Sequence, residues 1–120
     1  MSDRVELNGL RVMAHCGVTA AEREQAQPLL IDLEVHCDLR SAGTTDDLAE
    51  TVDYGVLGVE ISELAEEVPF VLLERLAERI AQLVLTRPIA SAVDVRVRKL
   101  RPPMAQDLTS SGVAIHRTVL

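Results

Sequence analysis

Lys99 is the only lysine in a chain of 120 residues whose eleven other basic residues are all arginine. An arginine stays protonated in proteins, whereas a lysine amine can release its proton. In its alternating segment, Lys99 falls on the same side as Val93, Val95 and Val97, so it continues an apolar face. Partial desolvation there favours the neutral amine, which acts as a general base. The alternative is a lysine at a strand end whose ammonium reaches water.

Three further side chains are candidates for ligand binding or proton transfer, and each also has an ordinary structural role. Glu74 falls in the first turn of a predicted helix, where a carboxylate interacts well with the helix dipole or accepts N–H donors from a planar ligand. Glu22 completes a capping box that begins at Thr19. Tyr54, the only tyrosine, follows Asp53 at a predicted helix start. Its ring can pack against the protein with the hydroxyl in water, or the hydroxyl can take part in the reaction.

The remaining metal-binding and nucleophilic residue types form no recognisable motif. His15, His36 and His116 share no spacing typical of a metal site. The chain has no Cys-x-x-Cys pair and no glycine-rich phosphate loop, so we expect neither a metal nor a nucleotide-phosphate site. Two cysteines in a chain of this kind, Cys16 and Cys37, are expected to be free thiols.

Composition excludes several classes of partner. The net charge of −7 disfavours nucleic acid, and one Tyr, one Phe and no Trp leave no aromatic platform for stacking bases. No apolar run is long enough to span a bilayer, and no apolar stretch follows the first charged residues as a signal peptide requires. We therefore expect a cytoplasmic protein without membrane or nucleic-acid partners, folded as a single domain over residues 1–120.

Hydrophobic alternation predicts four strands. Residues 29–40 alternate most strictly, which indicates one buried and one wet face. Asn8-Gly9 predicts a bend or bulge in the first strand. A connection is expected at residues 41–44 and a short helical turn at residues 46–50. The predicted strands are residues 4–13, 29–40, 91–100 and 113–119.

Two helices are predicted between the second and third strands, over residues 54–67 and 71–86, with Pro69 separating them. The apolar positions predicted to face inward in the first are Val56, Leu57, Val59, Ile61, Leu64, Ala65 and Val68. Those of the second are Leu72, Leu73, Leu76, Ala77, Ile80, Leu83 and Val84. The order ββααββ predicts an α+β domain, a four-stranded antiparallel sheet with two helices on one face.

Five short motifs occur in an order and spacing that resemble those of the dihydroneopterin aldolases of folate biosynthesis. The resemblance covers nearly the whole chain, and its most specific part is the segment at residues 72–80. The motifs are Leu7-Asn8-Gly9 with His15-Cys16-Gly17-Val18, Glu22-Arg23-Glu24, the segment 46–55, Leu72-Leu73-Glu74-Arg75-Leu76-Ala77-Glu78-Arg79-Ile80, and Lys99-Leu100-Arg101-Pro102-Pro103.

The resemblance implies a tunnelling fold, in which subunits join their sheets edge to edge into a ring. Two four-membered rings stack into a homo-octamer in this family, and ring closure removes exposed sheet edges. The polar face of the predicted strand 29–40 is then expected to line a central tunnel.

The resemblance also implies a retro-aldol cleavage of 7,8-dihydroneopterin without cofactor, metal or Schiff base. Lys99 is the expected proton donor and acceptor at the side-chain hydroxyl, and Tyr54 assists protonation of the reacting carbon. Glu74 is expected to bind the pterin N–H edge, with the backbone of Leu73 alongside. Glu22 is expected to hold the trihydroxypropyl chain and to position Lys99 or water. The site is expected between neighbouring subunits.

Two alternatives remain open from the sequence. An epimerase of dihydroneopterin or its triphosphate uses the same first step, and for the triphosphate it needs extra cations, for which Arg23 and Arg101 are the candidates. A non-catalytic, ring-forming protein that binds pterins or purines is the other alternative, and it would not require the chemistry of Lys99.

Overall fold

The computed structural model describes residues 3–67 and 69–119. It contains a four-stranded antiparallel sheet in the order β1-β2-β3-β4, which confirms the predicted α+β architecture. The elements are β1 (Arg4–Ala14), α1 (Ala20–Glu24), β2 (Gln27–His36), α2 (Arg40–Thr45), a 3₁₀ turn (Leu48–Glu50), α3 (Tyr54–Glu67), α4 (Leu73–Leu85), β3 (Ala92–Lys99) and β4 (Ser111–Thr118).

The core lies between one face of this sheet and the two long helices. Helix α3 packs against β1, and α4 packs against β3 and β4. Alternate residues of the central strands are fully buried beneath them, as the period-two pattern predicts. These residues are Leu29, Ile31, Leu33 and Val35 of β2 and Val93, Val95 and Val97 of β3.

A bulge in β1 keeps its apolar residues on the core face. The register with β2 shifts between Leu7 and Leu10, and Gly9 adopts a φ of 72°. Leu7 and Leu10 are three residues apart, so without the bulge they would point to opposite faces. The Gly9 N–H donates to the Asp32 Oδ1 at 2.7 Å. The bend predicted at Asn8-Gly9 is confirmed.

The first predicted helix is confirmed in its bounds but not in its apolar face. Val56 and Val59 are 51% and 58% exposed. The buried stripe is centred on Leu57 and Ile61, and at 100° per residue both valines fall well outside it. The prediction that they face the core is wrong. Val68, also placed on that stripe by the sequence, lies outside the described residues.

Other differences concern the ends of elements. Residues 40–45 form α2 rather than a plain connection, and β2 begins at Gln27 and ends at His36. Helix α4 begins at Leu73, so Leu72 precedes it and is 48% exposed rather than inward-facing. Within residues 3–67 and 69–119, no helix has both the length and the apolar character needed to cross a bilayer.

Candidate active site

Lys99 and Glu22 form an ion pair at the end of β3. The Lys99 Nζ lies 3.0 Å from the Glu22 Oε2, and the two side chains are only 12% and 18% exposed. Lys99 is the last residue of β3 and continues the face of Val97, as its parity predicts. The Lys99 ammonium is therefore largely withdrawn from water and paired with the Glu22 carboxylate.

The capping box of α1 orients Glu22 towards Lys99. The Thr19 N–H and hydroxyl both lie 3.3 Å from the Glu22 Oε1, and the Glu22 N–H donates to the Thr19 Oγ1 at 3.2 Å. One carboxylate oxygen thus closes the box while the other accepts from Lys99. The hydrogen bond from Lys99 lowers the pKa of Glu22 against the opposing effect of burial. The structural and the functional interpretation of Glu22 are compatible.

A short backbone bridge joins this region to the start of α4. The Phe70 N–H donates to the His15 carbonyl at 2.7 Å, and the Gly17 N–H donates to the Phe70 carbonyl at 2.8 Å. The bridge carries the loop that precedes α1 to within a few residues of Glu74. The elements that position Glu22 and Glu74 are therefore fixed to each other.

The buried thiol of Cys16 lies among these charged groups. Burial raises the pKa of Cys16, the charge of Lys99 acts to lower it, and the charges of Glu22 and Glu74 act to raise it. All three charges are close enough to influence one sulfur atom. The structure therefore brings Lys99, Glu22 and Glu74 into a single region.

The first turn of α4 is open for a ligand. Its N-cap residue, Leu72, makes no side-chain capping bond. N–H groups at a helix start have no partner within the helix, so those of Leu73 and Glu74 can serve a ligand. The Glu74 side chain itself is exposed. A flat molecule with adjacent donors and acceptors can meet both the carboxylate and the backbone here.

Tyr54 is not brought to this region within one protomer. It begins α3, where the Val56 N–H donates to the Asp53 Oδ1 at 3.2 Å, and it is 68% exposed. Helix α3 has 14 residues, and its far end leads to the Phe70 bridge. A helix of that length spans about 21 Å, which separates Tyr54 from the Lys99 region.

Side chains that sequence reasoning did not place hold the loop at residues 15–18. The Arg23 guanidinium donates to the carbonyls of Gly17 and Val18, both at 2.9 Å, and the Gln27 amide donates to the Cys16 carbonyl at 2.5 Å. Arg23 is thus occupied by the loop, which weakens its candidacy as a phosphate ligand. The sequence does not predict these contacts, because the acceptors are backbone carbonyl groups and no sequence pattern shows which carbonyl a side chain will reach.

The fold brings two of the histidines together, although their spacing in the sequence is not typical of a metal site. His36 and His116 both contact Asp94, on the sheet face away from the helices. Sequence spacing did not reveal this cluster because the register of three strands creates it. His15 lies elsewhere, with its Nδ1 2.8 Å from the Arg23 carbonyl.

We expect Gly17→Ala to lower the free energy of unfolding by about 1–3 kcal/mol, the usual cost of overpacking. A Cβ at Gly17 would lie 2.2 Å from the Glu22 Cβ and 2.8 Å from its Oε2, so Glu22 must move away from Lys99. Denaturant unfolding measures the loss.

The matched control is Gly43→Ala in α2, where an added Cβ meets nothing within 4 Å. Alanine is the better helix former by about 0.5–1 kcal/mol, so this variant is expected to be at least as stable as the parent. Equal stability of the two variants would contradict the tight contact between Gly17 and Glu22.

The chain is similar to known proteins over nearly its whole length. The sequence profile described as dihydroneopterin aldolase matches residues 5–116. A dihydroneopterin aldolase of Streptomyces coelicolor is 40% identical over 116 residues, covering 97% of this chain and 98% of the relative. One from Streptococcus pyogenes is 33% identical, covering 96% and 98%.

Solved structures agree with the sequence relatives. The chain is similar to a dihydroneopterin aldolase (FolB) structure from Vibrio cholerae with a TM-score of 0.91 and 34% identity, covering 99% of both chains. It is also similar to the Escherichia coli dihydroneopterin aldolase in complex with neopterin, with a TM-score of 0.87, 31% identity and coverage of 96% and 98%.

Proposed function

Since this chain belongs to the dihydroneopterin aldolase family, we propose that it cleaves 7,8-dihydroneopterin into 6-hydroxymethyl-7,8-dihydropterin and glycolaldehyde. The observation that carries the proposal is the shielded Lys99–Glu22 pair, 3.0 Å apart, in the same region as the open first turn of α4. The family match over residues 5–116 supports treating the chain as one aldolase domain.

Binding of the ring is assigned to the start of α4. The Glu74 carboxylate accepts hydrogen bonds from the ring N–H and amino group of the pterin, and the Leu73 backbone meets the same edge. A charged acceptor facing two parallel donors gives both strength and orientation. The reacting side chain of the substrate then extends towards Lys99.

Proton transfer is assigned to Lys99. As the neutral amine, it takes the proton of the hydroxyl on the 2′ carbon of the substrate. The bond between the 1′ and 2′ carbons then breaks, its electron pair enters the C=N group of the dihydropterin ring, and glycolaldehyde leaves. A proton returned to the 1′ carbon completes the product, with Tyr54 assisting. Glu22 meanwhile accepts hydrogen bonds from the substrate hydroxyls. The Lys99 amine then no longer has to donate to Glu22 and is available for proton transfer.

Tyr54 is assigned to the site of a neighbouring subunit. The separation of about 21 Å along α3 is too large for its own site to use it. Outer-face residues of α3, Val56 and Val59, are apolar and exposed, which fits burial against another copy. Strands β1 and β4 are the sheet edges, which fits pairing between copies.

We expect the chain to form an octamer of two stacked four-membered rings in solution. The physical reason is that closing the sheets into a ring pairs both edges and completes each site with a second copy. Light scattering measures the mass of the assembly. A stable monomer that retains full activity would contradict the shared site.

The proposed location is the cytoplasm, and the supporting observation concerns the cysteines. Cys16 and Cys37 are both free and buried. Free thiols fit a reducing compartment.

Incubation with 7,8-dihydroneopterin followed by chromatographic separation tests the proposal. We expect 6-hydroxymethyl-7,8-dihydropterin and glycolaldehyde in equal amounts. Tetrahydroneopterin is the matched control substrate, because it lacks the C=N group that must accept the electron pair, and it should remain intact. Conversion to the 2′ epimer alone would favour the epimerase, and binding without conversion would favour the non-catalytic alternative.

A further inference from the structure

Three side chains from neighbouring strands meet on the sheet face away from the helices. In the strand register, Asp94 of β3 lies opposite His116 of β4. On its other side, Asp94 lies opposite Glu34 of β2, so His36, two residues further along, is its diagonal neighbour. Opposite and diagonal residues on one sheet face are within reach of long side chains. The cluster is thus a direct product of the fold.

The polar atoms of this cluster converge. The His36 Nε2 lies 2.5 Å from one Asp94 oxygen, and the His116 Nδ1 lies 2.8 Å from the other. One ligand atom from each residue falls within 4.8 Å of the others. The two imidazole rings meet edge to face, with centroids 5.9 Å apart. Two imidazole nitrogens and the Asp94 carboxylate therefore lie close together on this face of the sheet.

We propose that His36, Asp94 and His116 bind a divalent transition-metal ion, for which Zn²⁺ is the reference. Two imidazoles and one carboxylate are a recurrent ligand set for such ions, and three protein ligands leave a position for water. The metal takes the place of the hydrogen bond between each histidine and Asp94. Histidine coordinates a metal in its neutral form, so a protonated histidine must release its proton when the ion binds.

The cluster is prepared for a cation and is accessible to one. Among residues 3–67 and 69–119, the ion-pair partners of Asp94 are these two histidines and no arginine. Asp94 and His116 also line an open cavity of about 570 Å³, through which a hydrated ion can enter.

This site is separate from the proposed aldolase site. Asp94 and Lys99 are five residues apart on β3 and, by parity, on opposite faces of the sheet. At 3.3 Å per residue they are separated by about 16 Å along the strand. The metal-site proposal therefore does not rest on the proposed function, and the two can fail independently.

Titration of the metal-stripped full-length protein with Zn²⁺ in a calorimeter tests the site. We expect saturable binding of a single ion per chain. His36→Gln and His116→Gln should each weaken it at least tenfold, because even the loss of an outer-shell partner costs about 10–100-fold. His15→Gln is the matched control, since His15 is bonded to Arg23 and lies outside the cluster. It should bind Zn²⁺ like the parent chain.

Substitution by Co²⁺ provides a second readout. The cluster should give visible absorption typical of nitrogen and oxygen ligands, lost in His116→Gln, whose side chain is 55% exposed and tolerates substitution. The proposal would be overturned by absent saturable binding in the parent chain, or by equal affinity in His116→Gln and His15→Gln. A thiolate-to-cobalt band would also overturn it, because the ion would then be bound at a cysteine.

Discussion

Lys99→Arg is expected to leave pterin binding nearly unchanged and to reduce turnover by roughly 10²–10⁴-fold, the usual contribution of a general acid–base group. An arginine at this position retains the positive charge and can still donate to Glu22, which lies 3.0 Å from the present amine. It cannot release its proton at neutral pH. The substitution therefore keeps the positive charge of residue 99 and removes only its ability to transfer a proton. Single-turnover kinetics with 7,8-dihydroneopterin, together with calorimetric binding of neopterin, measure the two effects.

A covalent mechanism would also suffer from this substitution, so a chemical control is needed. Borohydride added to the parent enzyme during turnover should trap no adduct, because the pterin ring itself accepts the electron pair. A reduced adduct on Lys99 would replace the general-base role by a Schiff base. Near-normal turnover by Lys99→Arg would remove Lys99 from the proton-transfer step.

Glu74→Gln is expected to weaken pterin binding by about 1.5–3 kcal/mol, the usual value of a hydrogen bond to a charged group. The substitution keeps the shape of the side chain but replaces the carboxylate by an amide with a single acceptor oxygen. Glu74 is exposed in the first turn of α4, so its loss should affect the fold little. Calorimetric titration with neopterin measures the change.

The control for Glu74→Gln is Glu66→Gln, which removes the same charge from an exposed position near the end of α3. This variant should bind neopterin with the parent affinity. If Glu74→Gln also keeps the parent affinity while its fold is intact, Glu74 serves only the helix dipole, the structural role that the sequence already allows.

The sequence predicted best where a local pattern and the tertiary environment agree. The alternation of β2 assigned its buried face residue by residue, and the same parity placed Lys99 beside Val97. The residue types and spacing at Thr19 predicted the capping box, and those at Asn8-Gly9 predicted the bulge. Both features depend mainly on residues that are close together in the sequence.

The sequence predicted less where non-local geometry decides. Nothing in the spacing of His36 and His116 shows that Asp94 will lie between them, because that depends on the register of three strands. The two exposed valines of α3 were assigned to the core because apolar residues cover a wide arc of that helix. Their exposure depends on which arc the sheet covers.

Mixing two variants that each lack one side chain of the proposed shared site tests the central claim, an aldolase site shared between copies, most directly. Lys99→Arg and Tyr54→Phe chains are unfolded together, refolded, and assayed with 7,8-dihydroneopterin below saturation. A site needs an intact Lys99 from one chain and an intact Tyr54 from its neighbour, so random assembly should restore about a quarter of the parent activity. Lys99→Arg mixed with Glu74→Gln should show no such gain, because both residues must come from the same chain. Failure of the first mixture to exceed its separate components, with both variants folded and assembled, would contradict the account.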